Sequence, residues 1–151
     1  MREIEFRGIS VTNGKFVYGD LIHALNGKVY INIKTISGGG TEFIQPIEVI
    51  ANTVGQYITV KDCKGAKIYT GDIIVPDCYP FVNDGKRNYI AEVCWFENTF
   101  AFGYIAHCIN KSLNGISSGD GFDFEEDGVY ELIGNIHEHK HLLGGEYGNK
   151  F

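Results

Sequence analysis

The stretch "VGQYITVKDCKGAKIYTGDIIV", residues Val54–Val75, alternates short apolar runs with two glycine-containing breaks. The segment Lys61–Gly65 predicts a tight turn, in which Asp62 accepts backbone hydrogen bonds and Gly65 takes a positive φ. Gly71-Asp72 predicts a bend, because a glycine within an apolar run permits a sharp change of direction. Three apolar side chains of this stretch are predicted to enter the core: Tyr57, Ile68 and Ile73.

The composition predicts a folded, β-rich chain. Its 151 residues are 44% apolar and 13% aromatic, which is enough for a packed interior. Twenty glycines against three prolines are typical of many tight turns between short strands. No window shows a sustained apolar period of 3.6 residues, so we expect a mainly β fold with little helix.

Alternation of apolar and polar residues predicts several strands outside this stretch. The segments "EIEFR" (3–7) and "KVYINIKTI" (28–36) both alternate. Before the second of these, Asn26-Gly27 predicts a hairpin with a type I′ turn, in which both central residues take positive φ. Pro46 marks "FIQPIEVI" (43–50) as an edge strand or a strand start, because proline cannot donate to a ladder.

Two eight-residue segments, 15–22 and 67–74, share a Lys, a Gly-Asp and a closing Ile at matching positions. In both, a strand is predicted to reach the Gly-Asp and to continue apolar beyond it. Such bends turn the corners of small barrels, so two short barrel-like β units are one possible arrangement. A boundary near Asn52 would separate them.

The charge balance disfavours nucleic acid as a ligand. Thirteen basic residues stand against 19 acidic ones, which gives a formal net charge of -6. Affinity for DNA or RNA comes mostly from neutralising phosphates, so an acidic chain without a basic block is a poor non-specific binder. A local basic patch stays open as an alternative.

The cysteine pattern and the hydropathy predict a cytoplasmic protein. No Cys-x-x-Cys pair occurs, and the expected state is four free thiols in a reducing compartment. The chain starts without an apolar signal segment, and no apolar run approaches the roughly 18 residues of a membrane span. The four cysteines are Cys63, Cys78, Cys94 and Cys108.

His137, His139 and His141 are candidate metal ligands. If the last strand extended that far, all three imidazoles would lie on one face, as a three-histidine zinc site requires. The alternative, which we favour, is an exposed polar segment near the C-terminus. We therefore predict no metal and no cofactor.

Two further segments contain residue types found in metal or catalytic sites, but neither completes a known motif. The acidic segment Gly119–Gly128 has Phe122 and Phe124 where a calcium loop needs ligands, which favours a solvated loop. His107 and Cys108 are adjacent in a predicted strand and therefore point to opposite faces, so they do not form a nucleophile and its base. We predict no enzymatic activity.

Aromatic side chains are the remaining candidates for a binding surface. An exposed aromatic on a small barrel can bind a peptide or a single-stranded base, whereas a buried one fills the core. Trp95 is the strongest candidate for an exposed ring, followed by Tyr57 and Tyr69. The other aromatics considered are Phe96, Phe100 and Phe102.

The opening stretch resembles the signature of the YopX family of phage and prophage proteins. Three more segments match the family in the same order along the chain: an opening strand at residues 1–7, a Val-x-Trp block at 93–95 followed by aromatics at 100–102, and a closing Ile-Gly-Asn-Ile strand at 133–136. The resemblance covers nearly the whole chain. The chain departs from the family in two places: His139-Lys140-His141 stands where the family usually has an aromatic-rich tail with an Asn-Pro, and the loop from His107 to Asp127 is longer.

The resemblance implies a small β-strand unit at residues 1–53, an SH3-like β-barrel at 54–143 and a polar tail at 144–151. It also implies a phage or bacterial cytoplasmic setting. It brings no known reaction, ligand or catalytic residue, because proteins of this family are mainly of uncharacterised function.

Three functions are compatible with the sequence. The first is a non-enzymatic accessory module that binds another protein or assembles with itself through exposed edge strands. The second is a nucleic-acid-binding accessory protein of phage replication or recombination, which rests on fold analogy alone. The third is a metal-dependent hydrolase that uses the histidines near the C-terminus.

Overall fold

The computed structural model describes residues 1–81, 87–110 and 114–143, and within these ranges the chain consists of β-strands, turns and two 3₁₀ segments. The strands are β1 (Phe6–Ile9), β2 (Phe16–His23), β3 (Val29–Ile36), β4 (Glu42–Val49), β5 (Gly55–Lys61), β6 (Lys67–Tyr69), β7 (Asp72–Asp77), β8 (Tyr89–Phe96), β9 (Ala101–Cys108), β10 (Gly121–Asp123) and β11 (Val129–Asn135). The 3₁₀ segments are Ala51–Thr53 and Lys140–Leu143. The mainly β fold is confirmed, and the predicted polar tail at 144–151 lies outside the described residues.

The strands form two antiparallel sheets. One has six strands in the order β4-β3-β2-β1-β5-β6, and the other has five in the order β10-β9-β8-β7-β11. A barrel closes only when its outermost strands pair with each other, and neither sheet does so over the residues described. The predicted SH3-like barrel is therefore wrong: the described residues form two open sheets.

The chain divides into two compact units, of which the first spans Met1–Thr59 and the second begins at Val60. The first unit contains five basic and five acidic residues, and the rest of the chain contains eight and fourteen. The whole net charge of -6 therefore belongs to the second unit. The sequence predicted a domain boundary between residues 53 and 54. Compact units defined by contacts do not test a domain boundary, so it stays a prediction.

The core of the first unit lies on one face of β2, β3 and β4. Val29, Ile31 and Val49 are buried there. Because side chains alternate along a strand, the odd-numbered residues of β3 and β4 share this core face and the even-numbered ones point the other way. Five partly buried side chains pack against the core: Phe6, Val17, Leu21, Ile33 and Val54.

The predicted hairpin around Asn26-Gly27 is confirmed, but its turn differs. The N–H of Ala24 donates to the carbonyl of Lys28 at 2.9 Å, which leaves residues 25–27 as a three-residue loop. Gly27 takes a φ of +85°, whereas Asn26 does not take a positive φ. Instead, Asn26 Oδ1 accepts the N–H of Lys28 at 2.9 Å. The predicted type I′ turn is therefore wrong, because the asparagine satisfies the backbone through its side chain and only the glycine takes the left-handed conformation.

The turn between β5 and β6 is built on Asp62, as predicted. Its Oδ1 accepts the N–H groups of Lys64 at 2.9 Å and Ala66 at 2.8 Å. Its Oδ2 accepts the N–H of Leu132, on β11, at 3.3 Å. Gly65 takes a φ of +88°. The carboxylate therefore fixes both the turn and its attachment to a distant strand.

The two Gly-Asp pairs have different roles. Gly71 takes a φ of +90° in the turn that ends β6, and the buried Asp72 accepts the N–H of Tyr69 at 2.8 Å. Gly19 lies inside β2, where the backbone carbonyl of Asn32 occupies the space that a Cβ atom would need. One glycine makes a turn and the other permits close strand packing, so the repeated segment does not mark two equivalent units. The three predicted core residues of this region are buried: Tyr57, Ile68 and Ile73.

The five-stranded sheet of the second unit is apolar on both faces. One face carries a cluster of rings whose centroids lie 4.7 to 5.8 Å apart. The other face carries an aliphatic cluster around Ile73, Ile90 and Leu143. The clustered rings are Phe81, Tyr89, Tyr104, Phe122, Phe124 and Tyr130.

Candidate interaction surface

The far end of the β3–β4 hairpin, residues 34–46, projects beyond the core of the first unit. Every residue of this segment except Ser37 is exposed. Ile36 and Ile44 have 75% and 64% of their side chains exposed on one face, and Phe43 has 52% exposed on the other. We call residues 34–46 the β3–β4 arm. Large apolar side chains on both faces of a two-stranded arm are unusual on a soluble surface and mark it as a candidate contact site.

The hydrogen-bond pattern shows which backbone groups of the arm are available. The N–H of Ser37 donates to the carbonyl of Thr41 at 2.8 Å, so these two residues form a hydrogen-bonded pair. Hydrogen-bonded and non-hydrogen-bonded pairs alternate along an antiparallel ladder. The backbone groups of the even-numbered residues of β4 therefore point away from β3.

The same alternation appears at the other end of β4. The carbonyl of Glu48 accepts the N–H of Val11 at 3.1 Å, and the N–H of Ile50 donates to the carbonyl of Ile9 at 2.9 Å. The segment 9–11 thus covers the outer edge of β4 next to the core. No strand covers the edge at residues 42–46 in the part of the chain that the structure describes.

Proline 46 lies on this free edge, as the sequence predicted. It faces Asn32 in a non-hydrogen-bonded pair, so its missing N–H would have pointed outward rather than toward β3. The free edge therefore offers the N–H and C=O of Glu42 and Ile44 but only the C=O of Pro46. The sequence indicated the edge through Pro46, whereas the exposure of Phe43 and Ile44 was missed because apolar residues in a strand are usually read as core.

The three aromatic candidates lie in different environments. Tyr57 and Tyr69 are only 5% and 4% exposed, so their rings pack in the interior and present no platform. Trp95 is 41% exposed at the end of β8. It pairs with Phe102 on β9, and the two rings make a T-shaped contact with centroids 4.9 Å apart. A role of these residues in binding stays a prediction.

Phe100 lies in the turn that connects β8 to β9, beside the Trp95–Phe102 pair in sequence. Its ring is 78% exposed and its φ is +53°. A bulky residue pays a conformational cost in the left-handed region, and an exposed ring regains little of it through burial. Phe100 is therefore a second exposed aromatic on the second unit.

The candidate histidines do not continue the last strand. β11 ends at Asn135, whose Oδ1 accepts the N–H groups of His137 at 3.0 Å and Glu138 at 2.9 Å. His139 lies over Gly134, and its ring centroid is 6.3 Å from that of His141. The premise of three imidazoles on one strand face is therefore wrong. The Asn135 cap turns the chain into the 3₁₀ segment instead.

Part of this segment also packs against the core. Leu143 is 2% exposed and belongs to the aliphatic core cluster of the second unit, together with the partly buried Ile136 and Leu142. Within residues 1–81, 87–110 and 114–143, no group of three or more His, Cys, Asp or Glu side chains is placed to hold a metal ion.

The acidic segment 119–128 contains a short strand. β10 pairs with β9 and places Phe122 opposite Tyr104, within the aromatic cluster. Asp123 and Glu125 alternate with the phenylalanines and are exposed. The phenylalanines anchor the segment while its carboxylates face solvent.

Burial shifts the pKa of several side chains on β8 and β9, among them Glu92, Cys94 and His107. It raises the pKa of Glu92, an effect that Lys140 partly offsets. Burial and the nearby Glu92 raise the pKa of the Cys94 thiol to about 11. Burial lowers the pKa of His107, which lies opposite Ile90 and on the other face of β9 from Cys108. At neutral pH the Cys94 thiol and the His107 ring are therefore both uncharged.

None of the helical segments that the structure describes is long and apolar enough to cross a membrane. A search of curated proteins finds no match. Among solved structures, the crystal structure of protein EF1440 from Enterococcus faecalis is similar in fold. That structure has a TM-score of 0.51 and 20% identity, and the alignment covers 95% of this chain and 99% of EF1440.

A model of the YopX protein family matches residues 5–144, which is nearly the whole chain. The match covers most of both compact units, including the Asp62 turn and the β3–β4 arm. The chain therefore belongs to the YopX protein family.

Proposed function

We propose that this chain is a non-enzymatic accessory protein, encoded by a phage or prophage and working in the bacterial cytoplasm. Its role is to bind another protein or to assemble with itself. The contact surface is the β3–β4 arm.

The observation that carries this proposal is the exposure of Ile36, Phe43 and Ile44 on an arm whose outer edge pairs with none of the strands that the structure describes. Each side chain has more than half of its surface in water. Burying apolar surface stabilises an association by about 25 cal/mol per Å² before its entropic cost, so a partner strand on this edge gains both apolar burial and backbone hydrogen bonds.

The charge distribution favours a protein partner over nucleic acid. The second unit carries the whole net charge of -6 and repels phosphate, while the first unit is neutral and offers no basic excess. The arm has exposed apolar side chains and no net charge, since Lys34 and Glu42 balance, and it is matched chemically by a strand or a hydrophobic protein surface.

Affinity capture with arm variants tests the proposal. Tagged wild-type protein, Phe43→Ser and Ile44→Lys would be used to capture proteins from host cells in which the phage genes are expressed. Leu25→Lys is the matched control, because Leu25 is a fully exposed apolar residue in the loop at the opposite end of β3. Any captured protein is then purified and rebound in isolation.

We expect a specific partner, or a second copy of this chain, to be retained by wild type and Leu25→Lys and lost by both arm variants. The same partners bound equally well by all four proteins would refute the arm as the contact surface.

A further inference from the structure

We infer that the free edge of β4 pairs with β4 of a second copy of this chain, antiparallel and around a two-fold axis at Ile44. This inference rests on the proposed function, because it names the partner of the β3–β4 arm. It is carried by the match between the hydrogen-bonding groups of this edge and those of its own two-fold image.

The edge is self-complementary in this register. The outward N–H and C=O of Ile44 meet the C=O and N–H of Ile44 in the second copy, which gives a pair of hydrogen bonds. The N–H of Glu42 in each copy then meets the C=O of Pro46 in the other. Proline serves only as an acceptor in this arrangement, so each Glu42–Pro46 pair makes one hydrogen bond instead of two.

The side chains also match. Residues that face each other across an antiparallel pair lie on the same side of the sheet, so the two Ile44 side chains would contact each other. Ile36 lies on that same face, next to Glu42, and adds apolar surface. Phe43 lies on the opposite face of the arm and would sit across from Gln45 of the second copy. The two Ile44 side chains therefore cover each other on one face, and on the other face Phe43 lies against the Gln45 side chain.

Charge does not oppose this pairing. The first unit has five basic and five acidic residues, so two such units meet without net repulsion. A contact through the second unit, with a net charge of -6, would bring like charges together. The neutral unit is the one that carries the free apolar edge.

The position of Pro46 also limits the assembly. Edge pairing does not extend beyond residue 46. Pro46 has no N–H to donate, and the carbonyl of Glu48 already accepts the N–H of Val11. A two-fold contact consumes the same edge in both copies and closes on itself. The result is a discrete dimer rather than a growing sheet.

Sedimentation velocity of the full chain tests the inference by measuring the fraction of dimer. The protein concentration is varied from about 1 to 100 µM, because small interfaces dissociate in this range. Wild type and Leu25→Lys are expected to dimerise within this range, and Ile44→Lys to remain monomeric because two ammonium groups would meet on the axis. Ile44→Pro is the sharper variant, since it introduces no charge and the N–H that it removes points away from β3, so the ladder within one copy is kept. It is expected to weaken dimerisation about tenfold or more while leaving the thermal unfolding of the monomer nearly unchanged.

A monomeric wild type at 100 µM, or a dimer that Ile44→Pro and Ile44→Lys leave intact, overturns the inference. The proposed function fails differently. If wild type stays monomeric yet captures another protein that the arm variants lose, the arm remains the contact surface and only the identity of its partner is wrong.

Discussion

Asp62 and Leu132 are joined by a hydrogen bond across 70 residues of sequence, from the backbone N–H of Leu132 to Oδ2 of Asp62 at 3.3 Å. The other carboxylate oxygen holds the turn at Lys64 and Ala66. One side chain therefore links the turn after β5 to the last strand. Within the second unit, this is a contact between its beginning and its end.

Replacing Asp62 by Ala is expected to destabilise the protein by about 2 kcal/mol, since three backbone N–H groups lose a charged acceptor. Chemical denaturation at pH 7 measures the loss. Asp123→Ala is the matched control, because Asp123 is exposed on β10. An equal effect of the two substitutions would contradict the structural role of Asp62.

The same carboxylate makes stability depend on pH. Burial raises the pKa of Asp62, but the hydrogen bonds from Ala66, Lys64 and Leu132 outweigh it and hold the pKa below its ordinary value. A lowered folded-state pKa contributes stability above the unfolded pKa of about 3.9, and this contribution disappears as the pH falls through the folded pKa. The difference in stability between wild type and Asp62→Ala should therefore be constant above pH 5 and shrink below pH 4. A difference that grew on acidification would disprove this assignment.

The contribution of Glu92 to stability depends on pH in the opposite direction. Its folded-state pKa is raised by burial, so it favours folding below its unfolded pKa and opposes folding increasingly as the pH rises through the folded value. Glu92→Gln is therefore expected to raise the melting temperature at pH 7 and to change it little at pH 4. Glu131→Gln, on the exposed side of β11, is the control. No gain at pH 7 would show that Lys140 compensates the buried charge fully.

The cysteines should react with alkylating agents at different rates. Cys63 is exposed, whereas the pKa of Cys94 is raised to about 11 and its side chain is partly buried. Only the thiolate reacts, so iodoacetamide at pH 7.5 should modify Cys94 at least about a hundredfold more slowly than Cys63. Mass spectrometry of a time course under native conditions measures both rates. Comparable rates would contradict the burial of Cys94, and unfolding in urea should remove the difference.

Phe100→Gly is expected to stabilise the protein by roughly 0.5–1 kcal/mol. Glycine adopts a positive φ without steric cost, and little apolar burial is lost because the ring is mostly exposed. Thermal denaturation measures the gain, and Phe100→Ala should give much less of it. A destabilised glycine variant would mean that the ring makes contacts that outweigh the backbone strain.

Much of the fold was predictable because it depends on local chemistry. Asp62 and Gly65 specify a turn through short-range hydrogen bonds and a positive φ, and both are found as predicted. Pro46 predicted that β4 is either an edge strand or begins at the proline, and the structure shows the edge strand. The type I′ turn at Asn26 was wrong, because asparagine can satisfy the backbone with its side chain as well as with a positive φ, and the sequence does not distinguish the two.

The remaining errors concern where strands end and which strands pair, and local sequence patterns do not record either. Barrel closure depends on whether the outermost strands pair, and no alternation of residues records that. A face of three histidines was one of two alternatives because the pattern of β11 does not reveal where the strand ends, and Asn135 ends it by capping the turn. Ile44 and Tyr57 have the same apolar character in sequence, and only the extent of the sheet makes one exposed and the other buried.

The single tryptophan is a selective optical reporter. Trp95 belongs to the second unit, and the first unit contains no tryptophan at all. Its fluorescence therefore follows the unfolding of the second unit, whereas far-ultraviolet circular dichroism follows the strands of both. Coincident denaturation curves from the two signals would identify one cooperative transition, and separated curves would show that each unit melts on its own.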